Sequence, residues 1–444
     1  MFKKLFNLEF LDSRDQRAYK YLVVFLLCHL FIAVVPIVGQ SLLFKLVYVF
    51  TRGLSFLSLL CFALAVNKAP CFRYRYHARF KITFVVGLFW LLYCLCEGTV
   101  FNHERFGSVI AQASFFLSAL LLIYFGGIRA VLPSLLRFFL VVFYLVIIFM
   151  FLTKDIHLAT VDFMTGEIQS IDEMRNTDTL AVRYNYFLYL APFFFFRGVF
   201  AKTGIGKLER IFSLGALVPF VYFLVVRNLF RNAIALLLLC FALALFYSLK
   251  KGKFVALLIV VAACLIAGWF WQSDYSYEMR RRIEDRARRE QAYSAVTFVQ
   301  SERGLELSLM LENVPTWKLV LGSGFGATYD ASEMFGPKGY EWQTIHLGIF
   351  IALLYGGIGF FVYMILLFVR GFLMRRTDLY DADGLMLACK CYVIVQLVRF
   401  CFIPFGFAGS HIFPDAPMFL ALGMLWSDRK QEVPLRQTNL LGVS

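Results

Sequence analysis

Hydrophobic residues occur in runs of about 20 along the whole chain, and short polar stretches separate one run from the next. A helix of about 20 apolar residues is long enough to cross the hydrocarbon core of a bilayer. The pattern predicts about twelve such helices, so the expected fold is an all-α, polytopic membrane protein. The predicted spans are residues 21–40, 43–66, 82–101, 108–127, 135–152, 186–200, 211–226, 232–249, 254–271, 347–369, 385–407 and 412–426.

Composition agrees with this fold and narrows the class of partner. Of the 444 residues, 60% are hydrophobic and 16% are charged, whereas soluble domains are about 45–50% apolar and about 25% charged. A net charge of +15 would suggest a nucleic-acid partner on a soluble protein. Here the positive residues lie mostly in short loops between spans, so we interpret them as topology signals. We expect membrane lipids around the protein and no nucleic-acid partner.

The distribution of Lys and Arg predicts which side of the membrane each loop occupies. Loops after the even-numbered spans are rich in these residues, as in "NKAPCFRYRYHARFK", "AKTGIGKLER" and "RGFLMRRTD". Because positively charged loops stay in the cytoplasm, both termini are predicted to be cytoplasmic. Two long loops, residues 153–185 and 272–345, then lie outside. In a bacterium this is the periplasmic side of the inner membrane.

The chain is thus predicted to contain nine N-terminal spans (1–271), a large helical periplasmic loop (272–345), three further spans (346–427) and a cytoplasmic tail (428–444). The loop opens with "SDYSYEMRRRIEDRARREQAYSAV", where Glu, Arg and apolar residues recur at helical spacing. An amphipathic helix at the membrane surface and a plain solvated helix both fit this pattern. The ten cysteines form no CxxC pair and no Cys/His spacing typical of metal ligands. Neither a disulfide framework nor a metal site is therefore expected.

A histidine stands at the start of the tenth predicted span, in "TIHLGIFIALLYGGIG". The predicted topology places His346 at the outer end of this span. An imidazole there either caps the span at the membrane surface or accepts a proton from a hydroxyl group near neutral pH, as general base catalysis requires. Gly356, Gly357 and Gly359 follow about three turns later, and small residues in a span allow another helix to approach closely.

Several arginines are predicted on this same outer side. A charge within a span costs about 2.5–3.5 kcal/mol on insertion scales, so it usually serves a cavity or a pathway. Snorkelling to the lipid headgroups accounts for any one of them taken alone. As a cluster, guanidinium groups suit phosphate oxygens through bidentate contacts, and at the outer leaflet this indicates a lipid-linked phosphate or diphosphate. The arginines are Arg183, Arg227, Arg231, Arg303 and Arg399.

Two features of the large loop complete the candidate chemistry. Glu306 follows Arg303 by three residues, so a helix would place both on one face, where Glu306 either orients a hydroxyl or pairs with the arginine. The segment "KLVLGSGFGATYD" is rich in glycine but lacks the Lys-Ser/Thr ending of a phosphate loop. It predicts a turn whose glycines allow a close approach of backbone to a ligand.

Taken in order, these segments resemble the bacterial O-antigen polymerase and O-antigen ligase superfamily. "FRNAIALL" resembles the family's arginine at the start of a span, although Phe230 stands where serine is frequent. "SERGLELSLMLENVPTWKLVLGSGFG" resembles the family's arginine, short helix and Gly-x-Gly turn. His346 ahead of a glycine-bearing span is similar to the family's histidine, although Leu347 stands where many relatives have asparagine.

The resemblance implies a metal-independent glycosyltransferase without a cofactor, acting on glycans linked to undecaprenyl diphosphate. The arginines would hold the diphosphate leaving group and His346 would activate the acceptor hydroxyl, with Glu306 as the second catalytic candidate. The acceptor would attack the anomeric carbon with inversion. The first outer loop, "PIVGQ", lacks the acidic residues that metal-dependent lipid-sugar transferases usually carry there. A chain-length-regulating co-polymerase is a further partner suggested by the family.

Three functions remain open at this point. A polymerase would transfer the glycan to another lipid-linked repeat unit, and a ligase would transfer it to the lipid A core. We favour the polymerase because polymerases are the more diverse group in sequence. A polysaccharide flippase or transporter is the alternative from another class. Its pathway would cross the membrane, whereas the predicted arginines all lie on one side.

Overall fold

The computed structural model describes the residues of fourteen ranges and three single positions, and their backbone is almost entirely helical. The described residues are 13–34, 42–66, 78–104, 106–126, 132–154, 160–161, 168–169, 185–201, 205–227, 231–250, 302–335, 348–369, 384–400 and 415–426, together with 261, 277 and 281.

The N-terminal part of the chain contains the helices α1 to α10. They are α1 (Ser13–Val34), α2 (Leu42–Val66), α3 (Ala78–Cys96), α4 (Phe106–Gly126), α5 (Leu132–Leu152), α6 (Asn185–Leu188), α7 (Ala191–Phe200), α8 (Lys207–Gly215), α9 (Leu217–Phe220) and α10 (Arg231–Lys250). Two of them continue into π-helical turns, Glu97–Phe101 after α3 and Val221–Arg227 after α9. A pair of two-residue antiparallel strands, β1 (Thr160–Val161) and β2 (Ile168–Gln169), departs from the all-α expectation.

The C-terminal part contains three helices in the predicted loop and three apolar helices after it. They are α11 (Glu302–Asn313), α12 (Thr316–Leu321), α13 (Ser332–Phe335), α14 (Ile351–Val369), α15 (Leu385–Phe400) and α16 (Ala416–Trp426). A 3₁₀ turn, Gly348–Phe350, leads into α14.

Among the described residues, five helical segments are long and apolar enough to cross a membrane. They are Lys81–Phe101, Phe106–Tyr124, Leu135–Leu152, Lys207–Val225 and Gly348–Val369. In the regular stretches of these segments the backbone N–H and C=O groups bond within the helix, which hydrocarbon requires. These five segments confirm the expectation of a helical protein with helices suited to a membrane. The total of about twelve spans stays a prediction. The ninth predicted span, 254–271, lies outside the described residues apart from position 261.

The helices pack into one continuous apolar interior that leaves many large side chains facing outward. α1 packs on α2, α3 lies between α4 and α14, and α4 contacts α16. α15 then joins α16 to α7 and α10, and α7 also contacts α8. Outward-facing Leu57, Val85, Phe89, Leu145 and Ile148 are each more than one-third exposed. Exposed apolar side chains of this size on spanning helices are expected where the neighbouring solvent is lipid.

Candidate functional site

The helix α11 in the loop presents Glu306 to the interior of the protein. Glu306, Leu309 and Met310 are buried, whereas Leu305 and Leu311 on the opposite face are exposed. Residues three and four positions apart lie on the same face of a helix, so these three buried side chains share one face. The sequence predicts such a helix, and it ends at Asn313, two residues before Pro315, which is the N-cap of α12.

The buried carboxylate of Glu306 has Tyr329 as a hydrogen-bonding partner. The Tyr329 phenol is 4% exposed and bonds to the Glu306 side chain. Burial, and then the adjacent carboxylate, raise the pKa of Tyr329. The phenol therefore keeps its proton and donates a hydrogen bond to the Glu306 side chain. Sequence reasoning missed Tyr329, since its only signal is a tyrosine just after the glycine-rich segment.

The glycine-rich segment after α12 is a turn, as predicted, and it inserts between the apolar helices α3 and α14. The amides of Ser323 and Gly324 donate hydrogen bonds of 2.8 Å to the carbonyl oxygens of Leu354 and Tyr355 in α14. The amide of Phe325 donates a 2.8 Å bond to the carbonyl of Cys94 in α3. The turn is therefore held by backbone hydrogen bonds to both neighbours.

A break in α14 supplies the acceptors for this turn. Gly356 and Gly357 have non-helical backbone angles, and Gly357 has a φ of 65° with a ψ of −163°, a region that essentially only glycine adopts. The break removes the regular helical partners of the preceding carbonyl groups, which the turn then satisfies. A Cβ on Gly357 would collide with the carbonyl oxygen of Val320, so the expected close approach of another helix is confirmed, with α12 as that helix.

Backbone also approaches backbone very closely at the end of α3. Gly324 has a φ of 85°, and a Cβ there would overlap the backbone of Gly98 in the π-helical turn. Asn102, just after this turn, donates through Nδ2 to the carbonyl of Ser323 at 2.9 Å and accepts from Lys318 Nζ at 2.7 Å. In the part of the chain that the structure describes, the glycines thus admit neighbouring backbone, where the sequence suggested a ligand.

The side chain of Phe325 fills the space beneath the turn. It is fully buried and packs against Phe116 of α4 and Tyr355 of α14, with ring centroids 6.1 and 5.6 Å away. Burial of a phenylalanine contributes roughly 1.5–3 kcal/mol. The Gly326 amide adds a 2.7 Å bond to Gln112 Oε1 on α4. The loop segment is thereby anchored to α3, α4 and α14 together.

Arg399 is the predicted arginine whose side chain is described, and it is bound within the protein. It lies in the last turn of α15 and is 1% exposed. Its Nη1 donates to Gln396 Oε1 at 2.8 Å and forms an ion pair with Asp415 Oδ1 at 2.9 Å. The guanidinium also lies 4.3 Å from the centroid of the Tyr189 ring. It is therefore neither extended to lipid headgroups nor left as an uncompensated charge.

The remaining predicted residues are placed only in part. For Arg227, Arg231 and Arg303 the backbone is described: they lie at the end of the π-helical turn after α9, at the start of α10 and in the first turn of α11. Arg183 and His346 lie outside the described residues. The structure brings Glu306 together with Tyr329 and Arg399 together with Asp415.

Asp415 could have been found from the sequence. It stands in "FPDAPMF", immediately before an apolar helix, and intramembrane charges usually occur in pairs. Within the described ranges, no group of three His, Cys, Asp or Glu side chains is arranged to hold a metal ion. No protein-family model matches the chain, and no curated protein matches it.

Proposed function

We propose that this protein is a membrane glycosyltransferase that polymerises oligosaccharide repeat units linked to undecaprenyl diphosphate. The observation that carries the proposal is the attachment of the glycine turn to α14 through Ser323 and Gly324. This attachment holds the turn and α12 against α14, whose leading 3₁₀ turn begins two residues after His346 in the chain. The helix α11, which bears Arg303 and Glu306, directly precedes α12. A shared site at this end of α14 would bring together residues that are far apart in sequence.

The proposed topology has about twelve spans, with both termini in the cytoplasm and residues 272–345 in the periplasm. Three helix ends that should be periplasmic, those at Cys94, Gln112 and Leu354, all bind the same loop segment. Arg399 and Asp415, also on the proposed periplasmic side, pair with each other. Helix ends assigned to one side thus contact one another.

The helix ends assigned to the cytoplasm give a second, independent grouping. Arg137 near the start of α5 and Arg197 near the end of α7 both pair with Glu209 near the start of α8. Gly384, directly before α15, lies against the backbone of Phe200 at the end of α7. A change in the direction of any of these helices would separate the contacting ends, so the grouping supports the proposed alternation.

In the proposed reaction, the acceptor hydroxyl oxygen attacks the anomeric carbon of the donor glycan. His346 takes the proton of that hydroxyl, and the bond from the anomeric carbon to the diphosphate breaks. Undecaprenyl diphosphate leaves with the bonding electron pair, and the configuration at the anomeric carbon inverts. Arg183, Arg227, Arg231 and Arg303 would offset the charge that develops on the leaving group. Arg399 differs because Asp415 already offsets its charge.

The function is tested by incubating the purified protein in lipid nanodiscs with undecaprenyl-diphosphate-linked repeat units. Polymerisation gives a ladder of products on a gel, each step one repeat unit longer. Lipid A core is added in a second arm, where a single transfer to the core sugar without a ladder would assign a ligase instead. Movement of the lipid-linked glycan across a vesicle membrane without any transfer would assign a flippase or transporter.

A further inference from the structure

An apolar groove of about 440 Å³ runs between α5 and the helices α8 and α9. One wall extends along α5 from Tyr144 to Phe151, and the other extends from Ile211 to Tyr222. Tyr144 joins the walls by donating a 2.6 Å hydrogen bond to the carbonyl of Phe212. The volume is within the range of about 300–1,000 Å³ that small-molecule sites occupy.

The position of the groove indicates what can occupy it. Both walls belong to segments that are long and apolar enough to span a membrane, Leu135–Leu152 and Lys207–Val225. Several of its lining side chains face outward, including Ile211 at 64% and Val218 at 69% exposure. A groove between two membrane-spanning segments opens to the hydrocarbon of the bilayer, so the apolar ligand available there is a lipid acyl chain.

A basic cluster lies at one end of the groove. Arg210 directly precedes Ile211 on one wall, and Arg137 lies two turns before Tyr144 on the other, since seven residues make about two turns of a helix. Lys207, at the first position of α8, is exposed. The helix geometry therefore brings cationic side chains to one end of the apolar groove.

One carboxylate offsets part of the charge in this cluster. Glu209 Oε2 lies 3.1 Å from Arg137 Nε, and its Oε1 lies 2.5 Å from Arg197 Nη2. Arg137 nevertheless keeps about a third of its side chain exposed, at 32%. Arg197 is 3% exposed, and its Nη1 has no hydrogen-bond partner among the described residues. With Lys207, Arg137 and Arg197 against one carboxylate, the cluster keeps a net positive charge, which favours an anion at its exposed side.

We propose that this groove and basic cluster bind one anionic phospholipid. The headgroup phosphate lies against Lys207 and Arg137, and one acyl chain lies along the groove toward Phe151 and Tyr222. Arginine and lysine recognise phosphate oxygens through charge-assisted hydrogen bonds, and basic pockets between spanning helices bind anionic headgroups. Under the proposed topology the site is in the cytoplasmic leaflet, and it is separate from the glycan site on the other side.

The first test uses the unmodified protein, purified in a mild detergent and mixed with equal amounts of phosphatidylglycerol and phosphatidylcholine. Native mass spectrometry then counts the phospholipid molecules that remain bound. We expect phosphatidylglycerol to be retained in clear preference. Equal retention of the two lipids would overturn the proposal, because a site made only of apolar surface would not distinguish the headgroups.

Variants then separate the headgroup contact from the groove. Lys207→Gln should weaken phosphatidylglycerol binding about fivefold, since one lysine near a lipid surface contributes that order of affinity. Gly215→Leu should fill the groove and remove the bound lipid, because the nearest atom to its added Cβ is the Tyr144 hydroxyl at 3.5 Å. Gly53→Leu is the matched control, since Gly53 lies within α2 and faces open space.

Val218→Phe fills the same groove from its exposed rim and serves as a second blocking variant whose fold should be unaffected. Both blocking variants should lose the lipid while Gly53→Leu retains it. Retention of phosphatidylglycerol by a folded Gly215→Leu and by Val218→Phe would assign the lipid to another surface and overturn the proposal.

Discussion

The amide of Gly324 donates a 2.8 Å hydrogen bond to the carbonyl oxygen of Tyr355, across a turn and a helix break that are both built on glycine. Gly324 needs its positive φ so that the turn can enter between α3 and α14. Gly357 needs its own positive φ to break α14, which leaves the carbonyl of Tyr355 without a helical partner. The two sequence motifs, "GSGFG" and "YGGIG", are thus the two halves of one contact. This contact fixes the glycine turn and the preceding helix α12 to α14.

The first prediction tests this contact with Gly324→Ala. A non-glycine residue in a left-handed conformation costs on the order of 1–3 kcal/mol, and the added Cβ would overlap Gly98 as well. We expect a lower unfolding temperature in detergent and faster proteolysis of residues 302–335. Gly107→Ala is the control, because a Cβ there meets no atom within 4 Å. Equal stability of the two variants would show that the turn does not depend on this close approach.

The second prediction concerns the buried pair of Arg399 and Asp415. Arg399→Met alone leaves the Asp415 carboxylate uncompensated and should destabilise the protein by about 3–5 kcal/mol. The double variant Arg399→Met/Asp415→Leu removes both charges and should recover most of the stability, measured by thermal unfolding in the same detergent.

The same double variant tests the role that the sequence suggested for Arg399. Because Asp415 and Gln396 already occupy Nη1 of Arg399, we expect the double variant to keep most of its glycan transfer. A double variant that is stable but inactive would instead return Arg399 to the diphosphate-binding arginines.

Several helix positions could be predicted from the sequence to within a few residues, although α1 begins at Ser13 and its predicted span begins at residue 21. The predicted span 43–66 is observed as Leu42–Val66, and 135–152 as Leu132–Leu152. These predictions succeed because length and hydropathy alone determine whether a segment can satisfy its backbone in hydrocarbon. Residues 401–407 of the predicted eleventh span lie outside the described residues, which include α15 as far as Phe400.

The contacts of the candidate site could not be predicted in the same way. The partner of Arg399 lies 16 residues away in another helix, and the partner of Glu306 follows a turn. The docking of the glycine turn joins residues of α3, α4 and α14 that no local pattern connects. Such pairings depend on tertiary packing, which a hydropathy pattern does not encode.

The third prediction concerns topology. Single cysteines are introduced at Ser294 and Thr377 in a cysteine-free background and probed with a membrane-impermeant thiol reagent. In intact spheroplasts, the cysteine at position 294 should react and the one at position 377 should not, because the predicted loops that contain them lie on opposite sides. Lysed cells provide the control in which both should react. Labelling at 377 alone in intact spheroplasts would invert the topology.

The fourth prediction is that Arg231 and Arg303 bind the diphosphate. Arg231→Ala and Arg303→Ala should each abolish or severely reduce glycan transfer at a near-normal level of membrane protein. Lysine at either position should restore activity only in part, since an ammonium group cannot make the bidentate contact. Arg281→Ala, an exposed arginine in the same predicted loop, is the control and should remain active. Full activity in both alanine variants would remove these arginines from the site.

The fifth prediction concerns His346 as the general base. Loss of such a base typically costs about 10²–10⁴-fold, so His346→Ala should lower turnover by that factor. Donor binding should change much less, because the arginines bind the diphosphate of the donor and His346 does not. His346→Gln should be nearly as inactive, since an amide hydrogen-bonds but does not take a proton. His103→Asn, at an exposed histidine with a φ of 53° that asparagine tolerates, is the control.

The most direct test of the proposed function is the turnover of purified His346→Ala with lipid-linked repeat units, read as product chain length on a gel. Binding of the donor is measured separately on the same preparation. We expect a loss of about 10²–10⁴-fold in turnover with nearly unchanged donor binding. Turnover close to that of the unmodified protein would contradict it. His346 would then be a cap at the membrane surface, and the base would have to be sought elsewhere, first at Glu306.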